Sequence, residues 1–221
     1  SSNEGLIDKA VVISCAKGTG TGFYVSEGVV VTAAHVVDGC QNAMLENNSH
    51  DTASTTDIYM DLYRDIAVLY TDKTISPVNV IDTSTVNLQD SVEIVGTPID
   101  GLVLSSGRVI KLFTEENEYD LLLDIPADHG NSGGPIFRDG KVIGLVNAMD
   151  DDGQIYAMDS LSIEEVLKKA TPEGNQSTVV NISNDAPLAV SVIMNVALLI
   201  AVLVLLITRN RNKNNQIVIN I

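Results

Sequence analysis

Apolar residues along this chain come in short runs, at positions 10–14, 22–25, 29–32, 66–70, 92–95, 102–104, 121–125 and 141–146. Gly, Pro, Asn or Asp bounds most of them, which is the punctuation expected between strands. Helical patterns do not alternate with these runs, so the arrangement predicts an all-β sandwich or barrel rather than a parallel α/β sheet. One helix is readable at 162–170, where Ile163, Val166, Leu167 and Ala170 recur at helical spacing. Ser162 and Glu165 form a capping-box pattern at its start. Lys168 and Lys169 suit its C-terminal end, and Pro172 stops it.

Beyond Pro172 the character changes. Residues 173–184 are rich in Asn, Ser and Thr and read as part of a polar stalk covering 172–187. Leu188 then opens a stretch that runs without a charge to Ile207 (residues 188–207), with Ser191 and Asn195 its only markedly polar members. About 20 such residues are long enough to cross a hydrocarbon core of about 30 Å as a single transmembrane helix. A helix apolar on every side suits lipid better than a protein surface. Arg209, Arg211 and Lys213 follow directly in the tail 208–221, and no acidic residue lies after the span. The positive-inside rule therefore predicts a single-pass protein with a cytoplasmic tail and an extracytoplasmic domain at 1–171. The chain begins at Ser1 with no signal-peptide pattern. Removal of a signal and release from a polyprotein both remain open as explanations.

Composition narrows the function. A formal net charge of −16 over 221 residues makes nucleic acid an improbable partner, because phosphate is repelled by such a surface. Sixteen glycines and no tryptophan suit a turn-rich β fold. His50 and His129 lack the spaced Cys or His partners of a zinc site, so no metal is expected. Asn47-Asn48-Ser49, Asn175-Gln176-Ser177 and Asn181-Ile182-Ser183 match glycosylation sequons.

The most informative motif is Gly130-Asn131-Ser132-Gly133-Gly134-Pro135. Serine is a weak nucleophile until a neighbouring base takes its proton. Glycines on either side permit a sharp turn in which the N–H groups of Gly130 and Ser132 aim at one oxygen. A base and an acid stand upstream: His35 closes Thr32-Ala33-Ala34-His35 after Gly28-Val29-Val30-Val31, and Asp65 precedes the apolar run Ile66-Ala67-Val68-Leu69. Asp57 and Asp61 are rivals for the acid. Asp65 is preferred because an acid just before alternating apolar residues can be buried against an imidazole N–H.

In these three motifs and their order, His35, Asp65, Ser132, the chain resembles the chymotrypsin-fold serine proteases, and within them the compact HtrA-like and viral members. The resemblance runs from about Val11 to about Lys169 and includes Gly18-Thr19-Gly20-Thr21-Gly22-Phe23, similar to the family's opening hairpin. It implies two six-stranded antiparallel β-barrels, at about 5–80 and 85–160, with the site in the cleft between them and a short C-terminal helix. It implies His35, Asp65 and Ser132 as catalytic triad, and the Gly130 and Ser132 N–H groups as oxyanion hole. The strand at 141–146 would line the substrate cleft, making Val146, Asn147 and Ala148 its candidate residues. Substrates would be proteins or peptides, with no cofactor. Asn131 stands where digestive relatives carry an aspartate, so no N-terminal zymogen switch is expected. Digestive relatives place a disulfide near Cys15 and Cys40, which makes that pair a possible bridge suited to an extracytoplasmic domain.

Asp128, Asp150, Asp151, Asp152 and Asp159 lie near segments that shape the family's primary pocket. An acidic pocket there would favour Lys or Arg before the cut; a solvated loop at 150–153 is the plainer alternative. Three functions remain open: a membrane-anchored serine endopeptidase, a silent protease-fold binding module, and a protease released from a polyprotein.

Overall fold

Strands form at each of the eight short apolar runs, and at four further places, 44–46, 52–61, 135–138 and 155–159. The computed structural model describes residues 4–16, 18–97, 101–113, 118–126 and 130–170, all within the first of the chain's two units, Ser1–Asn175. After a one-turn helix α1 (Glu4–Ile7) come β1 (Val11–Cys15), β2 (Gly18–Ser26), β3 (Val29–Ala33), a one-turn helix α2 (Ala34–Val37), β4 (Met44–Glu46), β5 (Thr52–Asp61) and β6 (Ile66–Thr71). Their neighbour order is β1-β2-β3-β6-β5-β4, and β4 pairs back onto β1 to close the barrel. A second set follows: β7 (Ser91–Gly96), β8 (Val103–Leu112), β9 (Leu121–Asp124), β10 (Pro135–Arg138), β11 (Lys141–Met149) and β12 (Ile155–Asp159). Its order is β10-β11-β12-β9-β8-β7, closed by β10 pairing with β7. Every strand pair is antiparallel. Closure removes the exposed edges that an open sheet would leave. The fold is therefore two six-stranded antiparallel β-barrels with a C-terminal helix, α3 (Ser160–Ala170).

β5 and most of β8 escape the apolar pattern. In β5 only Ala53 and Thr55 are buried, and in β8 only Val109. Their places come from ladders on both sides, β4 and β6 for one, β7 and β9 for the other. The helix also differs in its start. It begins at Ser160, and the Asp159 carboxylate accepts the Ser162 N–H at 2.9 Å, a cap supplied by the end of β12. Glu165 does not reach back in a capping box but crosses to Arg64.

Two apolar clusters hold the molecule. Val92, Ile94, Val109, Leu123, Ile125, Ile136, Ile143 and Ile155 fill the second barrel. The other cluster joins first-barrel residues such as Phe23, Val31, Leu45, Ile66 and Leu69 to Val95, Phe137, Val142, Leu145 and Met158 of the second, and to Ile163 and Val166 of α3. β11 thus feeds both clusters, which is why it reads as a continuous apolar run. Each such fully buried side chain contributes about 1.5–3 kcal/mol relative to exposure, so the seam between the barrels is a major part of the core. Arg64–Glu165 and Lys169–Asp61 (3.0 Å) fasten α3 to the turn between β5 and β6.

Among the described residues no helix is long and apolar enough to cross a membrane. The expected stalk, span at 188–207 and basic tail lie outside the described residues.

At the seam Gly133 has φ +80°, and a Cβ there would stand 2.1 Å from Thr32 Oγ1 and 2.2 Å from the Thr21 carbonyl oxygen. Gly133→Ala is expected to lower stability by more than about 2 kcal/mol, combining left-handed strain with the clash against backbone. For a domain of this size that is a melting-temperature drop of about 4 °C or more, read by thermal denaturation; an unchanged melt contradicts the packing described.

Candidate active site

His35 is the second residue of α2, so the end of β3 delivers it to the mouth of the first barrel, where its side chain is half exposed. Asp65 precedes β6 in a left-handed conformation, φ +50°, which side-chain-bearing residues seldom adopt. Its hydrogen bonds hold it there. Asp65 Oδ1 accepts the His35 backbone N–H at 2.9 Å, and Oδ2 meets His35 Nδ1 at 2.7 Å. The Asp65 carbonyl accepts the Ala34 N–H at 3.1 Å. Because a carboxylate only accepts, this contact assigns the imidazole proton to Nδ1 and leaves Nε2 with its lone pair.

The two groups shift each other. The hydrogen bond to Asp65 raises the His35 pKa above its ordinary value; burial opposes the rise and the carboxylate's charge adds to it. Burial pushes Asp65 upward, but hydrogen bonds from the His35 ring and backbone, the imidazole charge and the Asn147 amide together leave it below the usual carboxylate value. The rival acids stand elsewhere. Asp57 accepts the Ile58 N–H, and Asp61 pairs with Lys169 and Arg64.

Ser132 lies in the loop between β9 and β10, pinned from both barrels. Thr21 of β2 donates its backbone N–H to the Ser132 carbonyl (2.9 Å) and its hydroxyl to the Gly130 carbonyl (2.8 Å). From the second barrel, the Gly133 N–H reaches the Val146 carbonyl at 2.7 Å and the Val146 N–H reaches the Gly134 carbonyl at 3.0 Å. Asn131 is buried against Gly96, where a Cβ would sit 2.0 Å from the Asn131 side-chain oxygen. Gly130 has φ +98°, which a side chain would disfavour. No other described residue accepts the N–H of Gly130 or Ser132. The Ser132 hydroxyl donates to the Asn147 carbonyl at 3.4 Å.

Asn147, a candidate for the cleft lining, is buried, only 2 % exposed. Nδ2 donates to the Asp65 carbonyl (2.9 Å) and to Asp65 Oδ2 (3.2 Å), while Oδ1 accepts the Met158 N–H at 3.0 Å. A lone Asn inside an apolar run carries no sequence signal for such a role. Val146 is buried in the second barrel, and Ala148 is half-buried beside them.

Cys15 and Cys40 are joined in a disulfide. It ties β1 to the segment just after α2. His50 pairs with Glu46, and no cluster suited to a metal occurs among the described residues. Asn47 of the first sequon is spent on its own turn: its amide donates to Asp51 and the Ile75 carbonyl, and its side-chain oxygen accepts two backbone N–H groups. Asp150 likewise accepts the N–H groups of Asp152 and Gln154 in the β11–β12 turn. Asp159 lines a cleft of about 460 Å³ with Arg64, Glu118, Asp120 and Glu165, a lining that includes neither His35 nor Ser132. Asp128 and His129 lie outside the described residues.

Comparisons with known proteins agree with this geometry. Serine protease HtrA-like of Staphylococcus epidermidis RP62A is 25% identical over 168 residues, covering 66% of this chain and 29% of the relative. The Staphylococcus aureus MRSA252 protein of the same description is 24% identical, covering 66% of this chain and 22% of the relative. The chain thus spans less than a third of the length of these relatives. The active form of the Rv3671c protease from M. tuberculosis superposes with a TM-score of 0.68 at 21% identity, over 74% of this chain and 81% of that one. The serine endoprotease from Yersinia pestis gives 0.68 at 22% identity, over 76% and 66%. Both are likenesses of fold. Residues 20–145, more than half of the chain, match the family model described as "Trypsin-like peptidase domain". With its two closed barrels and a family match over more than half its length, this chain belongs to the trypsin-like peptidase domain family.

Proposed function

We propose that the protein is a serine endopeptidase, cutting protein or peptide substrates with His35, Asp65 and Ser132 as its triad. The observation that carries this reading is the Asp65–His35 pair, which leaves His35 Nε2 with its lone pair to act as base. His35 takes the proton from Ser132 Oγ as that oxygen attacks the scissile carbonyl, and the bond to the leaving amine breaks as His35 returns the proton. Water then enters by the same general-base step, and the acyl-enzyme is hydrolysed. Asp65 holds the tautomer and stabilises the imidazolium without itself being protonated. The N–H groups of Gly130 and Ser132 receive the tetrahedral oxyanion; each such donor is worth about 3–4 kcal/mol of transition-state stabilisation. The chemistry calls on no metal or organic cofactor.

The same proposal anchors the domain, at 1–171, in a membrane through residues 188–207, with the protease outside and the tail in the cytoplasm. Its support is the uncharged length of that stretch and the Arg209, Arg211 and Lys213 that follow it.

Three outcomes are expected of the full chain. A fluorophosphonate probe should label wild type and fail to label Ser132→Ala; a folded wild type that is not labelled contradicts the proposal and favours a binding module. The labelling rate should fall as pH drops through the His35 pKa, because a protonated imidazole cannot accept the serine proton. With that pKa raised by Asp65, the midpoint should lie above the ordinary value of about 6.5. Asp65→Asn should move the midpoint down and cut the maximal rate by roughly 10⁴-fold. A wild-type midpoint below about 6.5 contradicts the pairing. Finally, the full chain should float with phosphatidylcholine vesicles after reconstitution, and Leu198→Arg with Val202→Arg should release it. Each arginine adds about 2.5–3.5 kcal/mol to insertion at a helix centre, and equal flotation of both forms refutes the anchor.

A further inference from the structure

Thr21 stands on β2 between two glycines that let the strand lie close to its neighbours. A Cβ at Gly20 would lie 2.6 Å from Val36 and 3.1 Å from the Ser132 carbonyl oxygen. One at Gly22 would lie 2.5 Å from Ile13 and 2.9 Å from the Val31 carbonyl oxygen. Thr21 itself is fully buried, and each of its polar groups is engaged. Its N–H goes to the Ser132 carbonyl at 2.9 Å and its hydroxyl to the Gly130 carbonyl at 2.8 Å, while its own carbonyl accepts the Thr32 hydroxyl at 2.6 Å. A carbonyl only accepts, so the Thr21 hydroxyl proton points at Gly130. In the 3.3 Å contact between the two threonine hydroxyls, Thr97 is therefore the donor. Thr97 also gives its N–H to the Gly130 carbonyl at 3.3 Å.

Resting on the oxyanion-hole reading above, we infer that the Thr21 hydroxyl is a positioning group, which holds the Gly130 peptide so that the Gly130 and Ser132 N–H groups stay aimed at one oxygen. The need for it is local. Gly130 has φ +98° and Gly133 φ +80°, and glycine backbone moves easily between wells. The two residues that supply the N–H groups are the same two whose carbonyls Thr21 holds. Asn131, between them, is buried against Gly96, so the segment is fixed at three successive residues. Any residue at 21 could give its main-chain N–H to Ser132; the hydroxyl is what reaches Gly130. Thr21 belongs to the first barrel and Thr97 follows β7 of the second, so the loop is gripped from both.

The test uses the full chain and an alkyl fluorophosphonate, whose phosphonyl oxygen takes the oxyanion's place once Ser132 is modified. Thr21→Val keeps the shape and removes the hydroxyl. It should lower the maximal labelling rate roughly 10–100-fold, less than the 10²–10³-fold of a donor lost outright. The half-saturating probe concentration should stay within about threefold, because the hole acts on the tetrahedral species. The pH midpoint of labelling should not move, since the His35–Asp65 pair is untouched. The phosphorus NMR resonance of the labelled protein should shift, because it reports the donors around the phosphonyl oxygen. A residue that merely fills space would leave that resonance in place. Thr21→Ser, which keeps the hydroxyl, should recover the resonance and most of the rate. Melting curves establish folding. If Thr21→Val does not fold, Thr21→Ala decides by the same readouts, and failure of both to fold makes the residue structural and overturns the inference. A wild type that labels while the folded variant keeps its rate and its resonance overturns the inference alone. So does a fall in rate with an unmoved resonance or a displaced midpoint. A folded wild type that does not label overturns the oxyanion-hole reading and this inference together.

Discussion

Asp65 is an acid placed where two barrels meet, and most of what matters in this molecule follows from the need to hold its charge there. A half-buried carboxylate is costly unless its oxygens are satisfied. One oxygen is satisfied by the His35 backbone, the other by the His35 ring and by the Asn147 amide. The first two belong to the barrel that carries Asp65, the third to its neighbour. Each partner lowers the pKa that burial alone would raise, so the charge survives at the seam. That charge in turn raises the basicity of His35. A correctly poised imidazole is therefore a property of the joined barrels rather than of either one.

The packing serves the same end. Val142, Leu145 and Met158 of the second barrel and Ile163 and Val166 of α3 share one apolar cluster with the first barrel, so the two bodies do not slide freely. Polar ties lie over it: Thr21 grips the Ser132 loop, and Arg64 and Asp61 on the Asp65 turn are held by Glu165 and Lys169 of α3. Glycine at 133 allows the Ser132 loop to approach Thr21 and Thr32 more closely than any side chain would permit. The Cys15–Cys40 disulfide restrains the segment that follows α2. A loop of this length adds about 3–4 kcal/mol in the chain-entropy account, which is model-dependent.

The local settings of His35, Asp65 and Ser132 were legible in the sequence because each sits in a short motif whose residues explain its conformation: small alanines before His35, an apolar strand after Asp65, glycines around Ser132. The barrels were legible where strands bury one or both faces, as in β3, β6 and β11. β5 and most of β8 were not, because few of their residues are buried and their register is set by neighbouring strands, and β4, β10 and β12 are too short to show a pattern of their own. The Ser162–Glu165 cap failed for a tertiary reason: Asp159 already satisfies the helix start, and Glu165 finds Arg64 across the seam. For Asn147 the resemblance implies a place in the cleft wall and says nothing of its side chain. Its bond to Asp65 joins residues 82 positions apart and depends on a bulge, which no local pattern announces.

The most direct measurement is a crystal structure of the protein with a peptide boronic acid. The account predicts a tetrahedral boronate bonded to Ser132 Oγ, one of its oxygens accepting from the N–H groups of both Gly130 and Ser132, with His35 still joined to Asp65 and Asp65 to Asn147. A boronate bonded elsewhere, or one whose oxygens point away from those two N–H groups, would contradict it.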